Sequence, residues 1–306
     1  MAAECAGSDV ITTAGRTQRC AAADVVRMAR LLEVSRSGYY QYVKRTAATV
    51  LTDREQRRVD LEVQIVAVHR GSGGVYGSPR ITAELRAAGE RVSEKTVAKI
   101  MAEIGVAGIS PRTFKTRTTI VDPAASFPSD LVGRDFDRGR VDAVWSTDIT
   151  YLSCGGIDMY LCAVRDEHSK KVLGWALADH MRVELATAAV VMAVKTRRGR
   201  CRGTILHSDR GSQYTADAMA QACGLHGLRR SMGATGICWD NAGAESLWSS
   251  FKHEYYYRHV FATQSELVAA VDNWINFYNT NRRHSSIGML SPDEYEKSLT
   301  AATEAA

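Results

Sequence analysis

The sequence predicts an α/β fold. A mixed sheet of five strands is flanked by helices and preceded by a small all-α region with a helix-turn-helix outline. Three observations predict it. From about residue 143 to 258 the hydrophobic pattern reads β-β-β-α-β-α-β-α, an order that builds a mixed sheet covered by helices. Before residue 110 the periodic stretches carry helical spacing. And 306 residues, 45% of them apolar, suit about two domains with buried cores.

The elements follow in order. Residues 1–20 show no periodicity and read as a disordered lead. Residues 22–33 read as a short helix. Val34-Ser35-Arg36-Ser37-Gly38-Tyr39-Tyr40 then turns into an aromatic helix ending near Arg45. Residues 54–69 form a helix with Val59, Val63 and Val66 on one stripe, broken by Gly71 to Gly74. Ser78-Pro79 opens the next helix, serine as N-cap and proline at the first helical position. It carries Ile81 and Leu85 and stops at Gly89. Ser93 caps a third helix, with Val97, Ile100, Met101 and Ile104 at i, i+3, i+4 and i+7, ended by Gly105. Lys95 and Lys99 face outward on it, where a recognition helix presents side chains to a major groove. A plain helical bundle using lysine for solubility gives the same pattern. Together residues 21–109 form the helical region. Residues 110–141 are a basic linker, interrupted by Pro111, Pro123 and Pro128 and charged by Arg112, Lys115 and Arg117.

A second domain is expected over 142–297. Residues 143–152 read as a strand and Ser153-Cys154-Gly155-Gly156 as a hairpin turn. Residues 157–165 and 171–178 are near-continuous apolar runs, as strands covered on both faces should be. Then come a helix (183–197), a strand (204–208), a helix (Thr215 to Cys223), a strand (227–231), a loop (232–241) and a long helix (242–258). Residues 263–280 are the last long helix, with Thr263 and Glu266 as a capping box and Leu267, Val271, Trp274, Ile275 and Tyr278 as its buried stripe. Ser291-Pro292-Asp293-Glu294 starts a short final helix, and 298–306 should fray.

Three carboxylates stand out. Asp148 interrupts the apolar strand Trp145-Ser146-Thr147-Asp148-Ile149-Thr150-Tyr151, where an unpaired charge is expensive. Asp209 ends a strand inside His207-Ser208-Asp209-Arg210-Gly211-Ser212-Gln213-Tyr214. Glu245 follows it after 35 intervening residues, in Asp240-Asn241-Ala242-Gly243-Ala244-Glu245-Ser246-Leu247-Trp248. At 100° per residue, Ser249 and Lys252 share the face of Glu245, while Leu247, Phe251 and Tyr255 take the opposite side. The helix can bury its apolar face while turning Glu245 and Lys252 to a site. Trp248, on the edge of that face, packs against DNA or against the domain body, and the body is preferred. Each acid also has an ordinary reading: a hydrogen-bonded buried aspartate, a turn cap, and a helix-dipole partner. Asp158, Asp166, Asp179 and Asp240 are rivals that lack the strand context.

These strings resemble the second-frame protein of the insertion-sequence-3 family of bacterial transposases. Tyr76-Gly77-Ser78-Pro79-Arg80-Ile81 and Tyr278-Asn279-Thr280-Asn281-Arg282-Arg283-His284-Ser285 add to the resemblance, which covers residues 30–297. It implies an RNase H-like, retroviral-integrase-like catalytic core preceded by a helix-turn-helix. Asp148, Asp209 and Glu245 would be the catalytic, metal-binding DDE set. The cofactor would be two Mg²⁺ ions, with Mn²⁺ as a substitute, serving both ends of an in-line displacement. The activity would be DNA cleavage at element ends followed by 3′-OH strand transfer. The partners implied are terminal-repeat and target DNA, an upstream-frame protein or frameshift fusion, and a second copy of the chain on DNA. His207, Arg210, Gln213, Asn241, Lys252, Arg282, Arg283 and His284 are candidate DNA contacts, with Lys95 and Lys99. Alternatives are an RNase H-like nuclease without strand transfer and a non-catalytic DNA-binding relative.

Composition narrows the class. Residues 1–120 hold 19 Lys and Arg against 12 Asp and Glu, and the remainder 20 against 22. A basic front and an acid-bearing back suit a chain that grips phosphates at one end and holds metals at the other, although a solvated helical domain carries similar charge. The seven cysteines are scattered without C-x-x-C or zinc-finger spacing, so they read as packing residues. No signal-peptide core is visible, and the longest uncharged apolar stretch, Leu185 to Val194, is too short for a membrane span. A cytoplasmic, nucleoid-associated protein is expected.

Overall fold

The computed structural model describes residues 25–46, 51–109, 128–233 and 242–304. The expected lead (1–20) and most of the linker (110–127) lie outside the described residues. The chain divides into two compact units, Met1–Val63 and Gln64–Ala306.

In the first unit, α1 (residues 25–31) and α2 (Arg36–Thr46) are joined by a short turn. Helix α3 (Asp53–Gly71), which begins in the first unit and continues into the second, starts at a reciprocal cap. The Thr52 N–H donates to Glu55 Oε2 (2.9 Å), and the Glu55 N–H donates to Thr52 Oγ1 (3.3 Å). The expected stripe of Val59, Val63 and Val66 is not the buried one. Leu61 and Ile65 are buried, while Val59 and Val63 are exposed. Both stripes have helical spacing, and tertiary packing chose between them.

In the second unit, α4 (Ser78–Ala87) begins one residue earlier than its expected cap: Gly77 is the N-cap, and Ser78 makes no capping bond. It buries Ile81, Thr82 and Leu85. Helix α5 (Glu94–Glu103) is capped by Ser93, whose side chain accepts the Thr96 N–H, and buries Val97, Ile100 and Met101. Ile104 forms its C-cap.

The sheet contains β1 (Val144–Cys154), β2 (Ile157–Asp166), β3 (Val172–Ala178), β4 (Ile205–Ser208) and β5 (Arg229–Met232), in the order β3-β2-β1-β4-β5. β1–β2 and β2–β3 are antiparallel, whereas β1–β4 and β4–β5 are parallel. Helices α6 (Val183–Thr196) and α8 (Asp217–His226) pack a core of Trp145, Val164, Leu185, Ala189 and Val190 on one side of the sheet. Helices α9 (Ala242–Glu254) and α10 (Gln264–Thr280) pack a second core of Leu161, Leu247, Phe251, Val271 and Trp274 on the other. Gly174 lets α6 lie on β3: a Cβ there would sit 2.2 Å from the Ala189 carbonyl oxygen. Helix α10 carries the expected capping box, Thr263 with Glu266.

Three boundaries differ from the sequence reading. The stretch from Thr215 to Cys223 is two helices, α7 (Ser212–Thr215) and α8, because Ala216 is extended between them. Helix α9 stops at Glu254, and Tyr256–Arg258 forms a separate 3₁₀ turn. The final helix, α11 (Pro292–Glu304), takes in residues 298–304, where fraying was expected. The four described cysteines are buried and unpaired. Among the described residues no helix is long and apolar enough to cross a membrane.

Candidate active site

Asp148 sits at the middle of β1, the central strand. Parallel pairing with β4 runs Val144 to Ile205, Trp145 to Leu206 and Ser146 to His207. Continuing that register by two residues sets Asp148 opposite Asp209, just past the end of β4. Thr147, fully buried beside it, shares a hydrogen bond with the Tyr214 hydroxyl (3.2 Å) and so fixes the floor under Asp148.

Glu245 comes from the first turn of α9. That turn lies against the buried Arg165–Glu167 pair. A Cβ on Gly243 would stand 2.2 Å from Glu167 Oε1, so the close approach needs glycine. Glu167 accepts from the Ser146 hydroxyl and pairs with Arg165 at 2.9 Å. The start of α9 is thus seated on the residues that flank β1.

The charges of the three acids converge. Burial first, then the charge of Asp209, and to a smaller extent that of Glu245, push the Asp148 carboxyl up to about 7. The Ile149 N–H and the Trp248 indole oppose the rise. Trp248 Nε1–H donates to Asp148 Oδ2 at 3.1 Å. The sequence reading placed Trp248 in the domain body, which it is, but missed this bond. The signal was available, since position 248 is i+3 from Glu245 and an indole N–H seeks an acceptor when buried. Lys252, two turns along, is partly buried; burial lowers its pKa while the charge of Asp148 raises it.

Among the described residues, no three His, Cys, Asp or Glu side chains are close enough to form a ready-made metal cage. The donor set still fits Mg²⁺. That ion needs one or two carboxylates and takes water and substrate oxygens for the rest, and Asp148 carries negative neighbours that a divalent cation would offset.

The remaining expected contacts distribute differently. His207 is buried, hydrogen-bonded to Ser231 Oγ at 2.9 Å and edge-on to Phe136. It cannot reach DNA as folded, because β4 turns it into the protein. Gln213 gives its amide to the Met181 carbonyl (2.7 Å), and Arg210 is partly buried. Lys95 and Lys99 are exposed, with Lys99 3.8 Å from Glu103. Asn241 lies outside the described residues.

Arg282 and Arg283, expected on phosphates, have partners inside the chain. Arg282 is buried against Glu254 (2.6 Å), which also receives Arg80 (3.3 Å). Arg283 pairs with Glu84 at 2.6 Å. The Arg283 N–H donates to the Tyr76 hydroxyl, which donates to the Asn281 carbonyl. Asn279 pairs both backbone groups of Val172 at the edge of β3. The two distinctive strings, 76–81 and 278–285, therefore hold α4 to the end of α10. Asp166 is no rival to the three acids. Its carboxylate accepts the backbone N–H groups of Asp142, His168 and Ser169 and caps the β2–β3 turn.

Comparison with known proteins adds three family matches: two integrase core domain models over residues 139–238 and 226–292, and an HTH-like domain model over 55–114. The transposase InsF for insertion sequence IS3A of Escherichia coli (strain K12) is 38% identical over 273 residues, covering 88% of this chain and 92% of that protein. A putative transposase for insertion sequence element IS986/IS6110 of Mycobacterium tuberculosis is 30% identical, covering 88% and 97%. Among solved structures, the HTLV-2 integrase catalytic core domain with magnesium is 12% identical at a TM-score of 0.40, covering 50% of this chain and 94% of that one.

Proposed function

The chain belongs to the IS3 family of transposases, and from that premise we propose that Asp148, Asp209 and Glu245 are the metal-holding acids of its DNA cleavage and strand-transfer reaction. The observation that carries this reading is the placement of Asp209 and Glu245 near the buried Asp148, whose carboxyl is raised to about 7 by burial first and then by those two charges. Lys252 is a cation whose charge reaches Asp148, and a divalent cation would offset the like charges that raise the pKa of Asp148. When bound, Mg²⁺ would supply Lewis acidity to both the attacking and the leaving oxygen.

The chain's own groups do the rest. The indole N–H of Trp248, with the backbone N–H of Ile149, fixes the Asp148 carboxylate that would hold the metal. Lys252 brings positive charge to the edge of the cluster, where a non-bridging phosphate oxygen gains charge in the transition state. In the first step a water oxygen bonds to phosphorus, the P–O3′ bond breaks, and the 3′ oxygen leaves as a hydroxyl. In the second, that hydroxyl attacks another phosphodiester and displaces its 3′ oxygen. No protein–DNA bond forms.

The division of labour is part of the proposal. Residues 21–109 bind DNA through α4 and α5, with Lys95 and Lys99 outward; 110–141 connect; 142–297 catalyse. Two element ends must meet, so the working form is at least a dimer on DNA. An upstream-frame partner supplies further end recognition. The test is a labelled duplex carrying the DNA that flanks the gene, incubated with purified protein in Mg²⁺ or Mn²⁺, with and without the upstream-frame protein. End-specific nicks and joined products, lost in Glu245→Gln and in chelator, are expected. Cleavage that survives Glu245→Gln overturns the site.

A further inference from the structure

The face of α9 that turns away from Glu245 borders an open groove of about 860 Å³. One wall is the start of α4, from Gly77 to Arg80; another is the turn after α10, from His284 to Ser286. Four cations line it: Arg80, Arg165, Lys170 and Arg282. Only two carboxylates in its described lining answer them. Glu254 serves Arg282 and Arg80, at 2.6 and 3.3 Å; Glu167 serves Arg165 and Lys170, at 2.9 and 3.5 Å. Each carboxylate is shared by two cations, so each cluster keeps one positive charge in excess.

His284 reports the same field. Burial lowers its pKa to about 2, and Arg282, Arg165, Arg80 and Lys170 all contribute in that direction. The ring stays neutral and adds no charge. Hydroxyls of Ser78, Ser246, Ser250, Ser285 and Ser286 also line it. A net charge of about two, held in a concave site with hydroxyl donors, is complementary to phosphate oxygens.

We propose that this groove is a second DNA contact, which takes a backbone phosphodiester of the substrate strand on the side of α9 opposite the three acids. The proposal rests on the DNA-strand-transfer reading. It explains why α9 has acids on one side and cations on the other: one helix contributes Glu245 to the acids and borders the groove that grips the strand. It also moves the role given to Arg282 from a direct solvent-exposed contact to a buried charge acting through the groove.

The test adds a carboxylate at Ser285 or Ser286, the two exposed residues of the 3₁₀ turn Ser285–Ile287, leaving the buried Ile287 in place. Ser286→Asp and, separately, Ser285→Asp are compared with wild type by fluorescence anisotropy on a duplex of the element end. Chelator is present, so binding is read without cleavage. At least tenfold weaker binding is expected, with the slope of log affinity against log salt shallower by about one. Ser286→Lys should tighten binding. Wild-type affinity and slope in both aspartate variants overturn the proposal. Thermal stabilisation by inorganic phosphate with DNA affinity unchanged in Ser286→Asp also overturns it, by assigning the groove to free phosphate. If the aspartates weaken binding but no cleavage is ever seen, the groove stands and the catalytic reading falls.

Discussion

The two faces of α9 solve the same problem, ionised groups packed into protein, in opposite ways. On one face Asp148, Asp209 and Glu245 bring like charges together, and Asp148 accepts from the Ile149 N–H and the Trp248 indole. On the other, Glu254 and Glu167 are each paired with two cations, so both carboxylates are satisfied and positive charge is left in excess. The second arrangement stabilises the fold once formed, because removing one partner exposes a buried charge. In the first, burial and then the neighbouring acids raise the pKa of Asp148 to about 7, with Lys252 as a nearby positive charge. The difference teaches where to look for chemistry: where like charges are brought together rather than paired with opposite ones.

The largest effect should come from the closed face. Arg282→Met leaves Glu254 with Arg80 alone and should cost about 3–5 kcal/mol in urea unfolding. A loss below about 1 kcal/mol would mean the network contributes nothing net.

Acid should also act through that face. The folded pKa of His284 lies near 2, below the 6.5 of a free histidine. The unfolded chain then binds the extra proton first, so this stability is present above pH 6.5 and is lost as pH falls below it. Between pH 7 and 5 the loss should reach up to about 2 kcal/mol, and His284→Gln should flatten it. An acid limb unchanged in the variant would remove His284 from the account.

The open face should respond with the opposite sign. The Asp148 carboxyl is held near 7 in the fold against 3.8 outside it. Here the native state binds the proton first, so stability falls as pH rises from about 4 to 7. Asp148→Asn stays neutral, and in the metal-free protein it should be more stable than wild type at pH 8 by about 1–2 kcal/mol, discounted for partial solvent access. Near pH 4 the two should converge. A variant less stable at pH 8 would contradict the repulsion.

Trp248→Phe sharpens the comparison with the smallest change, keeping the ring and removing one donor. A roughly tenfold fall in cleavage rate at neutral pH is expected, about 1.4 kcal/mol. The acidic limb of the rate profile should move upward in pH, because a carboxylate without its donor ionises less readily. A loss uniform across pH would assign Trp248 to packing alone.

Much of this was legible in the residues, for identifiable reasons. The five strands and the capped starts at Ser93 and Thr263 carry local signals that the fold obeys. Lys252 falls near Asp148 as the period of α9 requires. The misses have a common cause. Nothing local distinguishes Val59, Val63 and Val66 from Leu61 and Ile65, because the packing partner decides. Arg282 and Arg283 look like free cations until Glu254 and Glu84, the latter 199 residues away, are brought to them. His207 looks available until β4 turns it inward. Partnering across the chain is invisible to spacing, and it decides which charges remain for a ligand.

The most direct test is the response of folding to metal. Wild type and Asp209→Asn would be melted at pH 8 with chelator, with Mg²⁺ and with Mn²⁺. Asp209 is exposed, so its substitution should leave the fold intact. A melting temperature that rises with either ion in wild type and stays flat in Asp209→Asn is predicted. An equal rise in both proteins, or none in wild type, would contradict the claim that these acids form a divalent-cation site.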